Sequence, residues 1–404
     1  MTRIMPSRLA CSGMALLLIC CCLALPAAVC AGNSTSDHAA NSQLSNESDP
    51  GGQKLPANET RGADSFLLDG RWQKIVDLPR SINCLAVDPI HPGVIYAGAG
   101  YQGSGSGVYK SEDTGRSWNL SSEGLPVEDV SALALDLVDP SNLYTSSGVR
   151  GDIYASTDAG KSWSARGNTD FFGGLSSKMI ADPGNGATLF MISNPGGLAK
   201  SSNAGRSWQH ISQGLPKDQD ERTGAYVLTL AVDPTDSSVV YAGTGGFVGQ
   251  GHGVYKSLDG GLTWSAANRG MLDYRIACLA IDPLHPQTVY AGSDSGELFK
   301  STDGAMSWID AANRDLFDQS NDDPAIRGIA IDPDHPDTIY VLADYLGVVV
   351  SNDGASNWTV LGRPEALDSP RFTSLAVIFH PQPAIIVGVE PNIDDAGGWM
   401  YAVR

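Results

Sequence analysis

The chain has 404 residues, of which 42% are hydrophobic and 18% are charged, and its formal net charge is −19. The hydrophobic fraction is sufficient for a folded core, which excludes disorder along the full length. The acidic excess argues against a nucleic-acid-binding surface, because phosphate recognition requires a basic patch.

The first 31 residues have the pattern of a secretory signal peptide. Arg3 and Arg8 precede an apolar run over 14–25, and small residues follow up to Ala31. The run is shorter than the roughly 20 residues of a membrane-spanning helix. We therefore expect cleavage after Ala31, no transmembrane segment in the mature chain, and a secreted or extracytoplasmic protein in the periplasm or at the cell surface. Lipid attachment at Cys30 is the alternative.

A polar linker is predicted over 32–65, where Ser, Asn, Gly, Asp and Glu dominate and large apolar side chains are nearly missing. Such a composition buries too little surface to offset the entropy of ordering. Asn-x-Ser/Thr sequences offer candidate glycosylation sites in an exported protein. They begin at Asn33, Asn46, Asn58, Asn119 and Asn357.

From residue 66 onward, the pattern Ser-x-Asp-x-Gly-x-x-Trp recurs, and we call each copy a box. The copies lie at 111–118, 156–163, 201–208, 257–264, 301–308 and 351–358. A period of about 40–50 residues with strand-like patterning indicates the blades of a β-propeller. In the fifth repeat the three strands before the box are predicted at 276–281, 288–292 and 297–301, with an Asp-Pro turn after the first.

The two ends of the repeat region determine the number of blades. Three strands are predicted after the last box, at 372–380, 384–389 and 398–404, which leaves that blade one strand short. The segment 71–76 resembles a strand that follows a box, with Trp72 in the position of the box Trp. The sequence thus predicts an all-β fold, a single seven-bladed β-propeller over 66–404, whose last blade is closed by the N-terminal strand.

The boxes resemble the Asp-box (BNR) repeats of the sialidase-like superfamily. That group includes sialidases, family 74 xyloglucanases, the sortilin ectodomain and the photosystem II assembly/stability factor. The sequence cadence here is most similar to the xyloglucanase and assembly-factor types. The resemblance implies that the box is a structural hairpin on the rim. The box residues are Asp113, Trp118, Asp158, Trp163, Asn203, Trp208, Asp259, Trp264, Asp303, Trp308, Asp353 and Trp358.

The histidines and cysteines of the repeats predict no metal site and no cofactor. His91, His285, His335 and His380 each precede Pro in a turn, one per blade, so they are expected to lie far apart. Cys84 and Cys278 occupy the same position in the inner strands of different blades. A disulfide needs Cα atoms within about 7 Å, so two buried thiols without a disulfide are expected.

Candidate ligand-binding residues are predicted on one face of the ring, which carries the turns between second and third strands and the blade-to-blade connections. We call it the funnel face. Arg275 and Arg371 directly precede inner strands, Arg327 lies nearby, and guanidinium groups bind carboxylates with two hydrogen bonds. The other candidates are Tyr101, Phe247, His252, Asp344 and Tyr345.

The catalytic residues remain unassigned. The Arg-Ile-Pro signature of sialidases is missing, and the two catalytic Asp residues of xyloglucanases lie between two propellers, whereas one propeller is predicted here. We expect a monomeric, non-catalytic propeller that binds a protein or polysaccharide through the funnel face. A glycoside hydrolase of xyloglucanase or sialidase type is one alternative, and an extracytoplasmic assembly factor is another.

Overall fold

The computed structural model describes most of the chain from residue 71 onward. The described residues are 71–78, 82–100, 107–126, 129–147, 151–169, 175–194, 197–217, 226–245, 251–272, 274–312, 324–365, 367, 370–379, 384–389 and 398–403. The predicted signal peptide, the predicted linker, Tyr101, Phe247 and His380 lie outside these ranges. Within them no helix is long and apolar enough to cross a bilayer.

The strands form seven antiparallel sheets of four strands each, and each sheet is one blade. Blade 1 holds β2 (Ile82–Val87), β3 (Ile95–Ala99), β4 (Gly107–Ser111) and β5 (Asn119–Leu120). Blade 2 holds β6 (Val130–Leu135), β7 (Leu143–Ser147), β8 (Asp152–Ser156) and β9 (Ser164–Asn168). Blade 3 holds β10 (Leu175–Asp182), β11 (Asn185–Asn194), β12 (Gly197–Ser201) and β13 (Gln209–His210).

The remaining blades follow the same order from the inner to the outer strand. Blade 4 holds β14 (Val227–Val232), β15 (Val240–Thr244), β16 (Gly253–Ser257) and β17 (Ser265–Ala266). Blade 5 holds β18 (Ile276–Ile281), β19 (Val289–Ser293), β20 (Leu298–Ser301) and β21 (Ile309–Asp310). Blade 6 holds β22 (Ile326–Ile331), β23 (Ile339–Ala343), β24 (Gly347–Ser351) and β25 (Thr359–Gly362). Blade 7 holds β26 (Phe372–Ile378), β27 (Ala384–Val389), β28 (Gly398–Val403) and, as its outer strand, β1 (Gln73–Leu78).

The predicted seven-bladed propeller is confirmed, including its closure by the N-terminal strand. Each inner strand contacts the inner strand of the next blade, and β26 contacts β2, so the ring closes. In blade 7, β1 pairs antiparallel with β28, Gln73 lying opposite Ala402 and Leu78 opposite Gly398. The strand begins two residues later than the predicted segment 71–76.

The core lies between successive sheets, because the second strands are apolar on both sides. Ile95, Leu189, Val240 and Ile339 are fully buried, each in a second strand. All seven inner strands carry a register shift near their first residue, for example between Ile82 and Cys84. Such bulges increase twist and redirect side chains at the rim of a closed sheet structure.

Each box is a hairpin held by side-chain hydrogen bonds to its own backbone. In the fourth box, the Asp259 carboxylate accepts from the Ser257 hydroxyl at 2.8 Å and from the Thr263 N–H and hydroxyl at 2.8 and 2.6 Å. The fourth and fifth box residues adopt positive φ in every copy. Ala305 and Ala355 therefore take φ of 65° and 70° where other boxes have Gly, a conformation that L-residues adopt at a cost.

The box carboxylates predict a loss of stability in acid. Hydrogen bonds from the Thr263 hydroxyl and N–H hold the pKa of Asp259 at about 2, below the ordinary value of 3.8, and Ser307 does the same for Asp303. The pKa of each carboxyl group is lower in the folded protein than in the unfolded chain. Its contribution to the free energy of unfolding is therefore complete above about pH 4 and disappears as the pH falls towards 2.

The third box provides the matched control for this effect, since Asn203 replaces the Asp. Asn203→Asp should increase the difference between the urea midpoints of unfolding at pH 7 and pH 2.5, and Asp259→Asn should reduce it. Equal pH dependence in both variants and the parent chain would contradict the assignment.

Successive blades are joined at their seams by hydrogen bonds to the carbonyl of the fourth box residue. The ammonium groups of Lys200, Lys256 and Lys300 donate to the box of the next blade, at Gly260, Gly304 and Gly354, over 2.8, 2.7 and 2.8 Å. Each ammonium also lies 5.2–5.6 Å from the centre of an aromatic ring on the second strand of its own blade. In blades 2 and 3 the box carbonyl accepts instead from Tyr96 and Arg166.

A second seam contact is made by the box Trp. The indole N–H groups of Trp163, Trp264, Trp308 and Trp358 donate to the preceding blade at Ser121, Ile211, Ala267 and Ala311, over 2.7–3.1 Å. Each of these preceding blades has an outer strand of only two residues. Where the preceding outer strand is longer, as at β9 and β1, Trp208 and Trp118 donate to their own box at Gly205 and Gly115.

Candidate functional site

Because the strands of each blade are antiparallel, the boxes and the turns between first and second strands lie on the same face of the ring. In blade 5, for example, the Gly304 N–H of the box donates to the Gln287 carbonyl of the turn at 2.8 Å. The opposite face is the funnel face. There the Asp294 and Asp344 N–H groups, just after second strands, bond to the carbonyls of Arg275 and Ala325, just before inner strands. Six of the eight predicted ligand-binding residues are among the described residues, and Tyr101 and Phe247 are not.

Four of the nominated residues meet at the junction of blades 6 and 7. Arg327, the bulged residue of β22, donates from Nε and Nη2 to Asp344 Oδ2 at 2.7 and 2.5 Å. The other carboxylate oxygen accepts from the Phe372 N–H at 3.0 Å, where β26 begins. The two side chains are 5% and 3% exposed. Asp344 thus connects the turn of blade 6 to the inner strand of blade 7.

Tyr345, which is half-buried, and Arg371, which is exposed, form the accessible part of this junction. Tyr345 has φ of 63°, which is unusual for a non-glycine residue, and its N–H bonds to the Pro370 carbonyl at 3.4 Å. Arg371 follows Pro370 and is exposed. Gly347 packs against Arg363, whose Cβ would lie 2.8 Å from a Cβ on that glycine. Among the described residues, neither Arg363 nor Arg371 forms an ion pair.

The two other described candidates, Arg275 and His252, lie at the junction of blades 4 and 5. Arg275 Nε donates to Asp294 Oδ2 at 2.5 Å, and both side chains are 12% exposed. The guanidinium carbon lies 3.4 Å from the position of a Cβ on Gly245 in blade 4. The backbone carbonyl of His252 accepts from the Asn268 amide at 2.8 Å, which fixes the loop end beside Tyr274 and Arg275.

The nominated arginines are therefore not equivalent. Arg275 and Arg327 are neutralised by a carboxylate of their own blade, whereas Arg371 is directed to solvent. Arg363 was not predicted from the sequence, because it does not occupy a position that recurs from blade to blade. The seam lysines were also not predicted, although a Lys directly before the first residue of the box recurs in several blades.

Among the described residues, His91, His285 and His335 lie in blades 1, 5 and 6, and Cys84 and Cys278 lie in blades 1 and 5, as the repeat predicts. His91, His285 and His335 each place Nδ1 3.1–3.5 Å from the Asp of the same turn. No group of three or more His, Cys, Asp and Glu side chains that could hold a metal occurs in the described part of the chain. Cys84 and Cys278 lie opposite Gly98 and Gly292 in blades 1 and 5, and burial raises the pKa of the Cys84 thiol to about 12.

Comparison with known sequences gives partial matches to xyloglucanases, and no family model matches the chain. A xyloglucanase of Paenibacillus sp is 27% identical over 200 residues, covering 39% of this chain and 19% of that protein. A xyloglucanase of Hypocrea jecorina is 30% identical over 148 residues, covering 34% of this chain and 17% of its own length. The matched regions thus span less than a fifth of these relatives.

Comparison with solved structures supports the propeller fold. The GH74 xyloglucanase of Xanthomonas campestris superposes with a TM-score of 0.60 at 15% identity, over 81% of this chain and 55% of that one. YCF48 bound to a D1 peptide gives a TM-score of 0.56 at 15% identity, over 82% of this chain and 97% of that one. At these identities the likeness shows the fold alone.

Proposed function

We propose that this protein is an extracytoplasmic, non-catalytic propeller that binds a protein or polysaccharide partner through its funnel face. Arg371 carries the proposal: it is exposed beside the strained Tyr345, while the two other nominated arginines are occupied by carboxylates. An exposed guanidinium can bind a carboxylate with two hydrogen bonds and stack on a planar group or sugar ring.

The same geometry argues against catalysis at this junction. A general acid or base must exchange its proton with a substrate, so its carboxyl group has to reach the reacting atoms. Asp344 is buried, with one oxygen on Arg327 and the other on the Phe372 N–H. Asp294 is likewise held by Arg275. These two carboxylates support the ring and position the exposed residues above it.

The binding proposal is tested with Arg371→Ala and a matched control, Arg206→Ala, which removes an exposed arginine from a box on the opposite face. The mature protein is screened on a glycan array containing xyloglucan and uronic-acid polymers, and by pulldown from extracts of its source. For the ligand that emerges, Arg371→Ala should weaken binding by about 10- to 100-fold, because a charged hydrogen bond is lost. Arg206→Ala should leave it unchanged; an equal loss in both variants contradicts the proposal.

Glycoside hydrolysis is the second candidate, and the partial matches to xyloglucanases favour it. Asp129 directly precedes β6, so it lies at the funnel face in the position that Arg275 and Arg371 hold in their blades. Release of reducing sugar from xyloglucan by the purified protein, abolished in Asp129→Asn, would establish hydrolysis. Xyloglucan binding without release of reducing sugar would favour the binding module.

An assembly-factor role is the third candidate, and the structural likeness to YCF48 over nearly that whole protein favours it. It predicts that the pulldown recovers a protein partner, with no response on the glycan array. Recovery of polysaccharide alone would remove this candidate.

A further inference from the structure

Four apolar side chains are exposed on the face opposite the funnel face, which we call the box face. They are Leu258 and Leu262 in the fourth box, Met306 in the fifth box and Leu284 in the turn of blade 5, and their exposed fractions are 46–69%. We call these four residues the apolar patch. At these exposures the side chains add hydrophobic surface in contact with water and little to the core.

Hydrogen bonds hold the segments that carry the patch next to one another. Lys256, directly before the fourth box, donates from Nζ to the Gly304 carbonyl of the fifth box at 2.7 Å. The Gly304 N–H donates to the Gln287 carbonyl in the turn of blade 5 at 2.8 Å. The two boxes and this turn are therefore neighbours on one surface.

The other boxes carry polar residues where the patch is apolar. The sixth residue of the box is Leu262 in blade 4 and Met306 in blade 5, and it is polar in the rest. These polar residues are Arg116, Lys161, Arg206 and Ser356. All six boxes share the same pair of positive φ angles, so the hairpin does not require an apolar residue at this position. The apolar residues thus serve no need of the hairpin itself.

Carboxylates surround the patch. Asp236 and Asp259 are exposed in blade 4, Asp303 is half-buried in the fifth box, and Asp334 and Asp337 are exposed in the turn of blade 6. Hydrogen bonds from the Ser238 hydroxyl and N–H lower the pKa of Asp236, so this carboxylate is ionised at neutral pH. The edge of the patch is therefore negatively charged.

The basic groups in this part of the box face offset few of these charges. The ammonium groups of Lys256 and Lys300 lie in the seams, where they donate to box carbonyls at 2.7 and 2.8 Å. His285 directs Nδ1 towards Asp282, and Arg269 is exposed beside Trp308 at the seam of blades 4 and 5. Within the described residues, this surface is apolar at its centre and mainly acidic at its edge.

We propose that the apolar patch is a docking surface for a basic, amphipathic segment of another protein. Its apolar side chains would cover Leu258, Leu262 and Met306, and its Lys or Arg side chains would meet the surrounding carboxylates. The inference is independent of the proposed function, because the patch lies on the opposite face of the ring. A second copy of this chain would bring the same acids and a net charge of −19 against them, and an anionic bilayer would be repelled as well.

Fluorescence anisotropy with synthetic peptides tests the chemistry of the partner. The probe is an amphipathic peptide of Leu and Lys, and two comparison peptides replace every Lys by Glu or every Leu by Ser. The Leu/Lys peptide should bind at least about tenfold more tightly than either comparison peptide, because burial and charge pairing are both required. Equal binding of the Leu/Lys peptide and a comparison peptide would overturn the proposal.

A charge-matched pair of variants tests the location. Leu262→Arg with Met306→Arg installs the residue type that Arg206 provides in the third box, so the hairpins should fold with an unchanged urea midpoint. This variant should bind the Leu/Lys peptide at least about tenfold more weakly. The control, Ile90→Arg with Val138→Arg, adds the same charge at exposed apolar positions in the turns of blades 1 and 2, and it should change binding little. Equal losses in the two variants would overturn the docking surface.

Two further measurements examine other occupants of the patch. Sedimentation velocity of the parent chain should show a monomer, and vesicles containing phosphatidylserine should not bind it. Dimerisation that disappears in Leu262→Arg with Met306→Arg would assign the patch to a second copy and overturn the proposal. Vesicle binding that disappears in the same variant would assign it to a membrane surface, with the same consequence.

Discussion

Asp344→Ala is expected to lower the free energy of unfolding by about 3–5 kcal/mol. The substitution removes the Asp344 carboxylate from the buried Arg327 guanidinium, and breaking a buried ion pair by removing one partner carries a penalty of this size. It also removes the acceptor of the Phe372 N–H, which connects blade 7 to blade 6. Urea unfolding followed by tryptophan fluorescence measures the change.

Two further variants separate the charge from the position. Arg327→Met with Asp344→Asn removes both charges and keeps an oxygen for the Phe372 N–H, so it should recover most of the loss. Asp294→Ala breaks the more exposed pair with Arg275 and should cost less than Asp344→Ala. If the double variant is as unstable as Asp344→Ala, the buried charge is not the cause.

Gly270→Ala is expected to lower the free energy of unfolding by about 3 kcal/mol or more. Gly270 has φ of 90°, and a Cβ there would lie 2.3 Å from the Trp308 carbonyl oxygen of the next blade. The Arg269 carbonyl next to it accepts from the Trp308 N–H at 2.8 Å, so the two backbones cannot move apart without losing that bond. The cost combines positive-φ strain with overpacking at a seam.

Gly362→Ala is the matched control for the contact. Gly362 has nearly the same φ, 85°, but no atom lies within 4 Å of the position of its Cβ. The substitution therefore carries the conformational cost alone, about 1 kcal/mol. Comparison of the two thermal midpoints isolates the contribution of the close backbone approach, and equal losses would contradict it.

The sequence allowed prediction of the blades because each repeat carries its own strands, turns and box. The closing strand followed from a count of strands at the two ends, and β1 differs from the predicted segment by two residues. These features depend on the spacing of apolar residues and on the residue types of the turns, and both can be recognised in the sequence alone.

The roles of the arginines could not be predicted, because they depend on partners from other strands. Arg275 and Arg371 precede inner strands in the same way, yet Asp294 neutralises one and the other is exposed. The residue that neutralises Arg327 comes from a turn 17 positions away, and it bonds also to the next blade. Such pairings depend on which turn carries an acid, and no periodicity encodes that.

The seam lysines have a consequence for the order of the blades. A blade whose third strand ends in Lys-Ser, such as blade 4, can donate the lysine hydrogen bond to the carbonyl of the fourth box residue in the next blade. Blade 6, with Val350, fits the blade that lacks a box. An extra copy of blade 4 inserted after itself would therefore meet compatible neighbours, whereas the same copy inserted after blade 6 would leave a lysine facing an apolar surface. The seams of blades 3 to 5 are therefore interchangeable, whereas the seam between blades 6 and 7 is specific to its two blades.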